Sequence, residues 1–401
     1  MAIPRLRSYT GPAILSYGFR PFFLLGAAYA GLSILFWIPA YMGHIETFST
    51  FAPVDWHIHE MLFGYLTAII TGFLLTAIPN WTGRLPVLGL PLLALMLIWI
   101  AGRFAVFFSA SIGWQAAAVI DAAFLAAVAI AAAREIIAGK NWRNLKVLIP
   151  VAILLIANIC FHIESQSAGL SDISRRLGMA AAIVLIMIIG GRIIPSFTRN
   201  WLVRENPGRL PIPFNRFDGG VIAISAIALA AWCFLPEHTG TAAALALAAL
   251  FQALRLTRWA GDRTFSDPLV LILHIGYSFV PIGLALLSLS IFVPDIVPLA
   301  AAYHALGGGA IGTMTLSVMT RATLGHTGRD LKADASTCLI YVAVVLGALT
   351  RIVAAFLPAE TMLLHVAATL WSAAFLYYAL YYGSMLVRPR LKARQPNPSP
   401  S

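Results

Sequence analysis

Charge is scarce in this chain: Asp, Glu, Lys and Arg together make up 11% of its 401 residues, and only 16 positions are acidic. A soluble domain carries roughly 25% charged side chains, so this chain has no polar coat to keep it dispersed in water. Cysteine is scarce too. Cys160, Cys233 and Cys338 lie far apart in apolar surroundings, which excludes a disulfide framework and a CxxC redox or zinc pair. Several motifs are missing: Walker A, GxGxxG after a strand, CxxCH and HExxH. Their absence argues against ATP-driven pumping, nucleotide chemistry, covalent c-type haem and zincin proteolysis. Long polar stretches are also lacking. The longest internal loop, roughly 199–218, is rich in Pro and Arg and too short to hold a soluble domain.

What is abundant is apolar sequence, at 60% of residues. A bilayer core needs about 20 apolar residues per helix. Runs of that kind fall at 20–42, 56–79, 87–109, 113–136, 145–163, 176–198, 219–236, 239–257, 268–292, 297–320, 335–357 and 361–387. The expected fold class is therefore all-α, a polytopic transmembrane bundle of about twelve spans. The least certain junction is the short "PEHTG" between the seventh and eighth. Basic residues give a second, independent reading. The even-numbered gaps hold Arg84, then Arg134 to Lys146, Arg199 to Arg216, Arg255 to Arg263 and Arg321 to Lys332, whereas the odd-numbered gaps hold almost none. Under the positive-inside rule this alternation places both termini in the cytoplasm. The same rule accounts for the net charge of +11 as topology rather than as a nucleic-acid footprint. The expected organisation is a cytoplasmic segment at 1–19 without a cleavable signal, a membrane domain at 20–387, and a basic, Pro/Ser-rich cytoplasmic tail at 388–401.

A faint echo runs through the chain: "AIPNWTGR" closes the second span, "IIPSFTRN" the sixth, and "GHTGR" follows the tenth. Three groups of four helices would produce it, and so would the chance recurrence of short Thr/Gly/Arg strings.

Charges inside spans carry more information than those between them, because each costs at least about 2.5–3.5 kcal/mol in lipid and needs a partner or a cavity. Arg103 lies inside the third span and Arg351 inside the eleventh, each near the outer end. At about 1.5 Å per residue, Asp121, His304, His365, His57, His59, Glu60, Asn158 and His162 all fall within roughly 12 Å of that same surface. His57 and Glu60, spaced i, i+3, share a helix face. His59 points about 200° away from His57 on an ideal helix, so the two histidines serve one metal only if the helix start is irregular, and otherwise serve two sites. Neutral imidazole is the commonest transition-metal ligand, which makes His57, His59 and His304 candidates for a metal or haem. Arg103 and Arg351 either neutralise haem propionates or, for Arg103, pair with Asp121. His162 and His365 are read equally well as interfacial histidines.

Gly307, Gly308, Gly309 and Gly312 follow His304 and leave a patch without side chains. This serves either close helix packing or a flat cofactor lying against bare backbone. A second polar zone, near the inner side, holds His274 and Tyr277 at i, i+3, with Trp81, Arg84, Thr198, Arg321, His326 and Arg329 at the cytoplasmic face. Interfacial Trp and Arg anchor helices. They also make an anion or propionate clamp, or a mouth for protons or substrate.

The strings "LSYGFRPFFLL" at 15–25, "WHIHEMLFGYLTAIITGFLLTAIPNWTGR" at 56–84, "GGRIIPSFTRNW" at 190–201, "LHIGY" at 273–277, "YHALGGGAIGTMTLSVMTRATLGHTGR" at 303–329 and "RPR" at 388–390 resemble the NnrS family. That family consists of bacterial inner-membrane proteins that bind haem and copper and are linked to the nitric oxide response, especially around denitrification. The resemblance implies b-type haem, copper and a role in nitrosative stress. It also implies nitric oxide as the partner molecule, beside the lipid bilayer and an electron donor that the sequence leaves unspecified, and no nucleic acid. Its His-bearing motifs include His57, His59, His274, His304 and His326, whereas His44, His162, His238 and His365 lie outside them. By fold-level analogy the haem-copper oxidases also draw haem histidines from their second and tenth helices. Their side-by-side copper histidines on one helix are missing here.

The resulting expectation is one haem between the second and tenth spans, held by His304 and either His57 or His59, with Arg103 and Arg351 at its propionates. Cofactor candidates extend to His274 and Tyr277, and metal candidates to Glu60 and His326. Copper would take the remaining histidine of the second span with Glu60 or another histidine. Turnover of nitric oxide by a membrane oxidoreductase, and transport of a metal ion or small anion, are the alternative functions.

Overall fold

Helices are the form in which a backbone satisfies its own polar groups inside lipid. In the computed structural model, which describes residues 9–169 and 171–391, helix accounts for 80% of the chain and no strand occurs among the described residues. Eleven helices there are long and apolar enough to cross a membrane: α1 (Phe19–Tyr41), α2 (Pro53–Thr82), α3 (Leu90–Phe107), α4 (Trp114–Ala138), α5 (Trp142–Ala168), α6 (Asp172–Glu205), α7 (Arg216–Phe234), α8 (Thr239–Arg263), α9 (Pro268–Phe292), α11 (Ala335–Phe356) and α12 (Thr361–Val387). The tenth expected run is taken up by a composite helix, α10. It joins Leu299–His304, a π-helical stretch Ala305–Gly312 and Thr313–His326 without a break. The expected membrane bundle is thus present. Residues 1–8 of the expected N-terminal segment and 392–401 of the expected tail lie outside the described residues.

Local chemistry sets the helix boundaries. The "PEHTG" junction is a turn: α7 ends at Phe234, and His238 Nδ1 accepts the Gly240 N–H at 3.0 Å to open α8. Asn215 and Asp218 form a capping box on α7. Asp267 caps α9 with Pro268 at its first position, and Asp334 caps α11. These side chains take up N–H groups that have no partner within the helix. Buried hydroxyls turn back onto their own helices, as Thr71 does on Thr67 O (2.7 Å), Thr198 on Ile194 O (2.8 Å) and Ser225 on Val221 O (2.8 Å), which pairs these groups within the apolar interior.

The bundle has an inside and an outside. In α2, 83% of the most apolar stretch is buried, against 28% in α12, so α2 is a central helix and α12 a peripheral one. The outward faces carry Val119, Ile130, Ile227 and Leu380, all well exposed. Such a contiguous apolar exterior is suited to lipid rather than water. The start of α1 meets the end of α12: Arg20 donates to the carbonyls of Leu386, in the last turn of α12, and of Arg388, just past it, both at 2.7 Å.

Threonines of α10 fix the surrounding helices. Thr315 is hydrogen-bonded to Tyr65 of α2, Thr320 to Tyr341 of α11 (2.5 Å) and Thr323 to Tyr378 of α12 (2.9 Å). Thr337, at the start of α11, meets Tyr382 of α12 at 2.6 Å. These bonds tie α10 to α2, α11 and α12, and α11 to α12.

Candidate functional site

Two π-helical stretches interrupt α2 and α10: Glu60–Tyr65 and Ala305–Gly312. Such bulges concentrate at functional sites. Each begins directly after a candidate histidine, His59 in one helix and His304 in the other.

A cavity of about 410 Å³ opens between these helices, with further walls from α1, α6, α11 and α12. The size falls within the range of about 300–1,000 Å³ found for ligand and cofactor pockets. His57, His304, Arg351, Tyr65, Gly307 and Gly308 all line it, among mostly apolar neighbours. His304 Nδ1 lies 2.7 Å from the Ala300 carbonyl. As a donor there, Nδ1 fixes the tautomer and leaves Nε2 as the basic nitrogen. The His57 ring stacks on Trp37, with centroids 4.3 Å apart, and its buried Nδ1 has no hydrogen-bond partner. No carboxylate among the described residues comes within ion-pair distance of Arg351. Arg175 also lines the cavity but pairs with Asp172. Two imidazoles from different helices, an arginine without a carboxylate partner and apolar walls are a donor set that suits haem.

The glycine patch divides between its two readings. A Cβ at Gly307 would stand 3.6 Å from Met179, and one at Gly308 3.9 Å from Ala348, so both would be accommodated at ordinary contact distance on the cavity wall. A Cβ at Gly309 would overlap the Phe279 ring, and one at Gly312 the Trp371 ring, so those two serve close helix packing.

His59 does not line this cavity. It turns towards α4 and α5, where a second cluster is buried. His59 Nδ1 is 2.9 Å from Glu60 Oε1, and its Nε2 is 3.0 Å from Asn158 Oδ1 and 3.2 Å from Asp121 Oδ2. His162 Nε2 is 3.3 Å from the same Asp121 oxygen. Arg103 forms ion pairs with both Glu60 and Asp121, and Tyr29 donates to Glu60. Gly64 leaves the space these groups occupy, since a Cβ there would stand 2.5 Å from Glu60 Oε2 and 2.6 Å from Arg103 Nη1. Of the two roles expected for Arg103, the structure places it in the pair with Asp121 and away from the cavity wall.

The remaining candidates lie elsewhere. His274 Nε2 is 2.9 Å from Thr198 Oγ1, and Tyr277 joins Arg255 and Gln252, both at 2.8 Å. Arg255 in turn pairs with Asp218 at 3.0 Å. These groups bind α6, α7, α8 and α9 together. His326 stacks on Tyr17 with ring centroids 5.6 Å apart. Asp121 and His162 were absent from the sequence-based ligand set. Their shared depth near one surface was a signal for them, and the missing information was which way each helix faces.

The family model described as NnrS protein matches residues 13–390. The chain belongs to the NnrS family. Within this NnrS chain the match takes in both the cavity and the His59 cluster. No curated protein and no solved structure matches it.

Proposed function

We propose that this NnrS-family membrane protein binds haem and copper in the bacterial inner membrane and protects the cell from nitric oxide by binding or redox chemistry at a His-ligated centre. Family membership supports the cofactors and the nitric oxide response. The observation that carries the site is the shared wall: His57 of α2 and His304 of α10 line one cavity, each with a ring nitrogen not taken up by the protein.

In this reading His57 and His304 are the haem ligands, and Arg351 neutralises a propionate. Gly307 and Gly308 let the macrocycle lie against backbone. Haem held by both imidazoles would pass an electron, and would bind nitric oxide only in exchange for one of them. The Ala300 carbonyl orients His304 for ligation, Trp37 holds the His57 ring by stacking, and the apolar walls exclude water.

The test is an optical spectrum of the detergent-purified protein, oxidised and reduced, with iron and copper counted in the same sample. A Soret band and sharp reduced b-type bands are expected, lost in His57→Ala and in His304→Ala, and shifted by nitric oxide in the wild type. Both variants keeping full haem would overturn the ligand assignment. Steady-state consumption of nitric oxide with a reductant would replace protective binding by an oxidoreductase. A folded, colourless protein that cannot be reconstituted with haem would give first place to transport of a metal ion or small anion.

A further inference from the structure

The cluster around His59 has the geometry of a metal centre separate from the cavity. His59, Asp121 and His162 each offer one ligand atom, and the three atoms lie within 4.8 Å of one another in a fully buried setting. Two ligands of a tetrahedral ion at about 2.0–2.1 Å stand about 3.3–3.4 Å apart. Asp121 Oδ2 lies 3.2 Å from His59 Nε2 and 3.3 Å from His162 Nε2. Two edges of such a tetrahedron are therefore present already, and Asn158 Oδ1, 3.0 Å from His59 Nε2, stands beside them.

The surrounding groups also have the form of a support shell. Ligating histidines usually give their other ring N–H to a carboxylate, and ligating carboxylates are themselves hydrogen-bonded. His59 Nδ1 faces Glu60 Oε1 at 2.9 Å, and Arg103 holds the Asp121 oxygen that faces away from the imidazoles. For His59 and Asp121 the ligand atom is thus left directed at the centre while the other polar atom is fixed. Hydrogen bonding alone satisfies the same atoms only with His59 as an imidazolium. Its Nε2 has two oxygens before it, Asp121 Oδ2 and Asn158 Oδ1, while Nδ1 faces a third, and neutral imidazole has one N–H to share among them. Charge leaves room for a cation: Glu60 and Asp121 together exceed Arg103 by one negative charge.

The geometry points to a mononuclear transition-metal site on His59, His162 and Asp121, taking a single copper or zinc ion, with Glu60 and Arg103 as positioning residues. Two imidazoles and one carboxylate favour ions of borderline softness, and copper binds most tightly among the divalent first-row metals. The inference deepens the preceding reading by giving the non-haem metal a place, and it rests on that reading only for the preference for copper over zinc. His57 and His59, two residues apart, would then serve different centres on opposite sides of α2.

The experiment counts copper, zinc and iron in purified full-length protein and records the Cu(II) paramagnetic resonance spectrum with the haem bands. About one equivalent of copper or zinc is expected. Loading the metal-stripped protein with Cu²⁺ should give nitrogen hyperfine structure from two imidazoles. Asp121→Asn and His162→Gln, which keep side-chain size, should each lose that metal at least tenfold while the haem bands stay, and His57→Ala should do the reverse. Retention of the metal with an unchanged spectrum in both variants would overturn the assignment. If the variants fail to fold, the wild-type spectrum decides, and a Cu²⁺-loaded protein without imidazole nitrogen coupling overturns it equally. Metal without haem would sink the cavity reading and leave this one standing, and haem without any second metal would do the opposite.

Discussion

Adjacent glycines of one π-helical stretch should respond oppositely to the same added methyl group. Gly308 and Gly309 share backbone surroundings, so the propensity gain of about 0.5–1 kcal/mol for replacing Gly by Ala is common to both and cancels in the comparison. What remains is the space the methyl group meets. At Gly308 the nearest atoms are those of Ala348 at 3.9 Å, an ordinary contact, whereas at Gly309 the Cβ overlaps the Phe279 ring. Overpacking a filled interior costs about 1–3 kcal/mol, so Gly309→Ala should be less stable than Gly308→Ala by that amount. One kcal/mol moves the Tm of a domain of 150–250 residues by about 2–4 °C and that of a longer chain by less, which gives a gap of a few degrees here. The assay is thermal unfolding in one detergent at one scan rate, since irreversible unfolding makes the Tm depend on scan rate. A second arm, Gly308→Leu, places a branched side chain in the 410 Å³ cavity beside His304. It should lower haem content without unfolding the protein. Equal Tm values for the two alanine variants, or full haem in Gly308→Leu, would refute the division of the patch into a cavity wall and a packing face.

Two further outcomes follow from the buried ion pairs. Arg103→Met leaves Glu60 and Asp121 without their shared cation in a fully buried site, and removing one partner of such a pair costs about 3–5 kcal/mol. Its Tm should fall well below that of wild type and recover in part when Glu60→Gln is added, and an unchanged Tm would count against the network. Gly191→Ala sets a methyl group on the Arg255 guanidinium, whose Nε is 3.0 Å from Asp218. The variant should lose about 1–3 kcal/mol, whereas Gly220→Ala, where the methyl group meets nothing within 4 Å, should not.

The membrane bundle was legible because its signal is additive: twenty apolar residues in a row need no knowledge of their neighbours. Even the doubtful "PEHTG" junction resolves into a local turn with a histidine cap. The tenth span was readable as an apolar run, but its π-helical interior was not. A π-bulge arises when packing rewards one extra residue per turn, and the packing partners Phe279 and Trp371 come from helices distant in sequence. For the same reason Gly307 to Gly312 gave two open readings: composition fixes that a methyl group is missing, and only the facing helix fixes whether cavity or ring fills the space.

The site shows the same boundary between depth and direction. Depth along a helix is sequence position multiplied by the rise per residue, and it groups His57, His59, Glu60, Arg103, Asp121, Asn158, His162, His304, Arg351 and His365 at one level. The structure instead sets His57, His304 and Arg351 on the cavity and His59, Glu60, Arg103, Asp121, Asn158 and His162 in the buried cluster. Direction around a helix depends on how that helix is rotated against its neighbours, which no single segment encodes. His57 and His59 show the consequence. Their separation on an ideal helix allowed either one irregular site or two sites, and α2 keeps α-helical geometry up to His59 before the π-helical stretch begins at Glu60. The irregularity therefore comes one residue too late to bring the imidazoles together. His57 is left against Trp37 at the cavity, and His59 is left against Asp121 and His162. Because Glu60 is both the first residue of the π-helical stretch and the hydrogen-bond partner of His59, the backbone that orients the α4 and α5 cluster is continuous with the one that presents His57. The two proposed centres, built on one segment of helix, would thereby be held at a fixed spacing by the helix backbone.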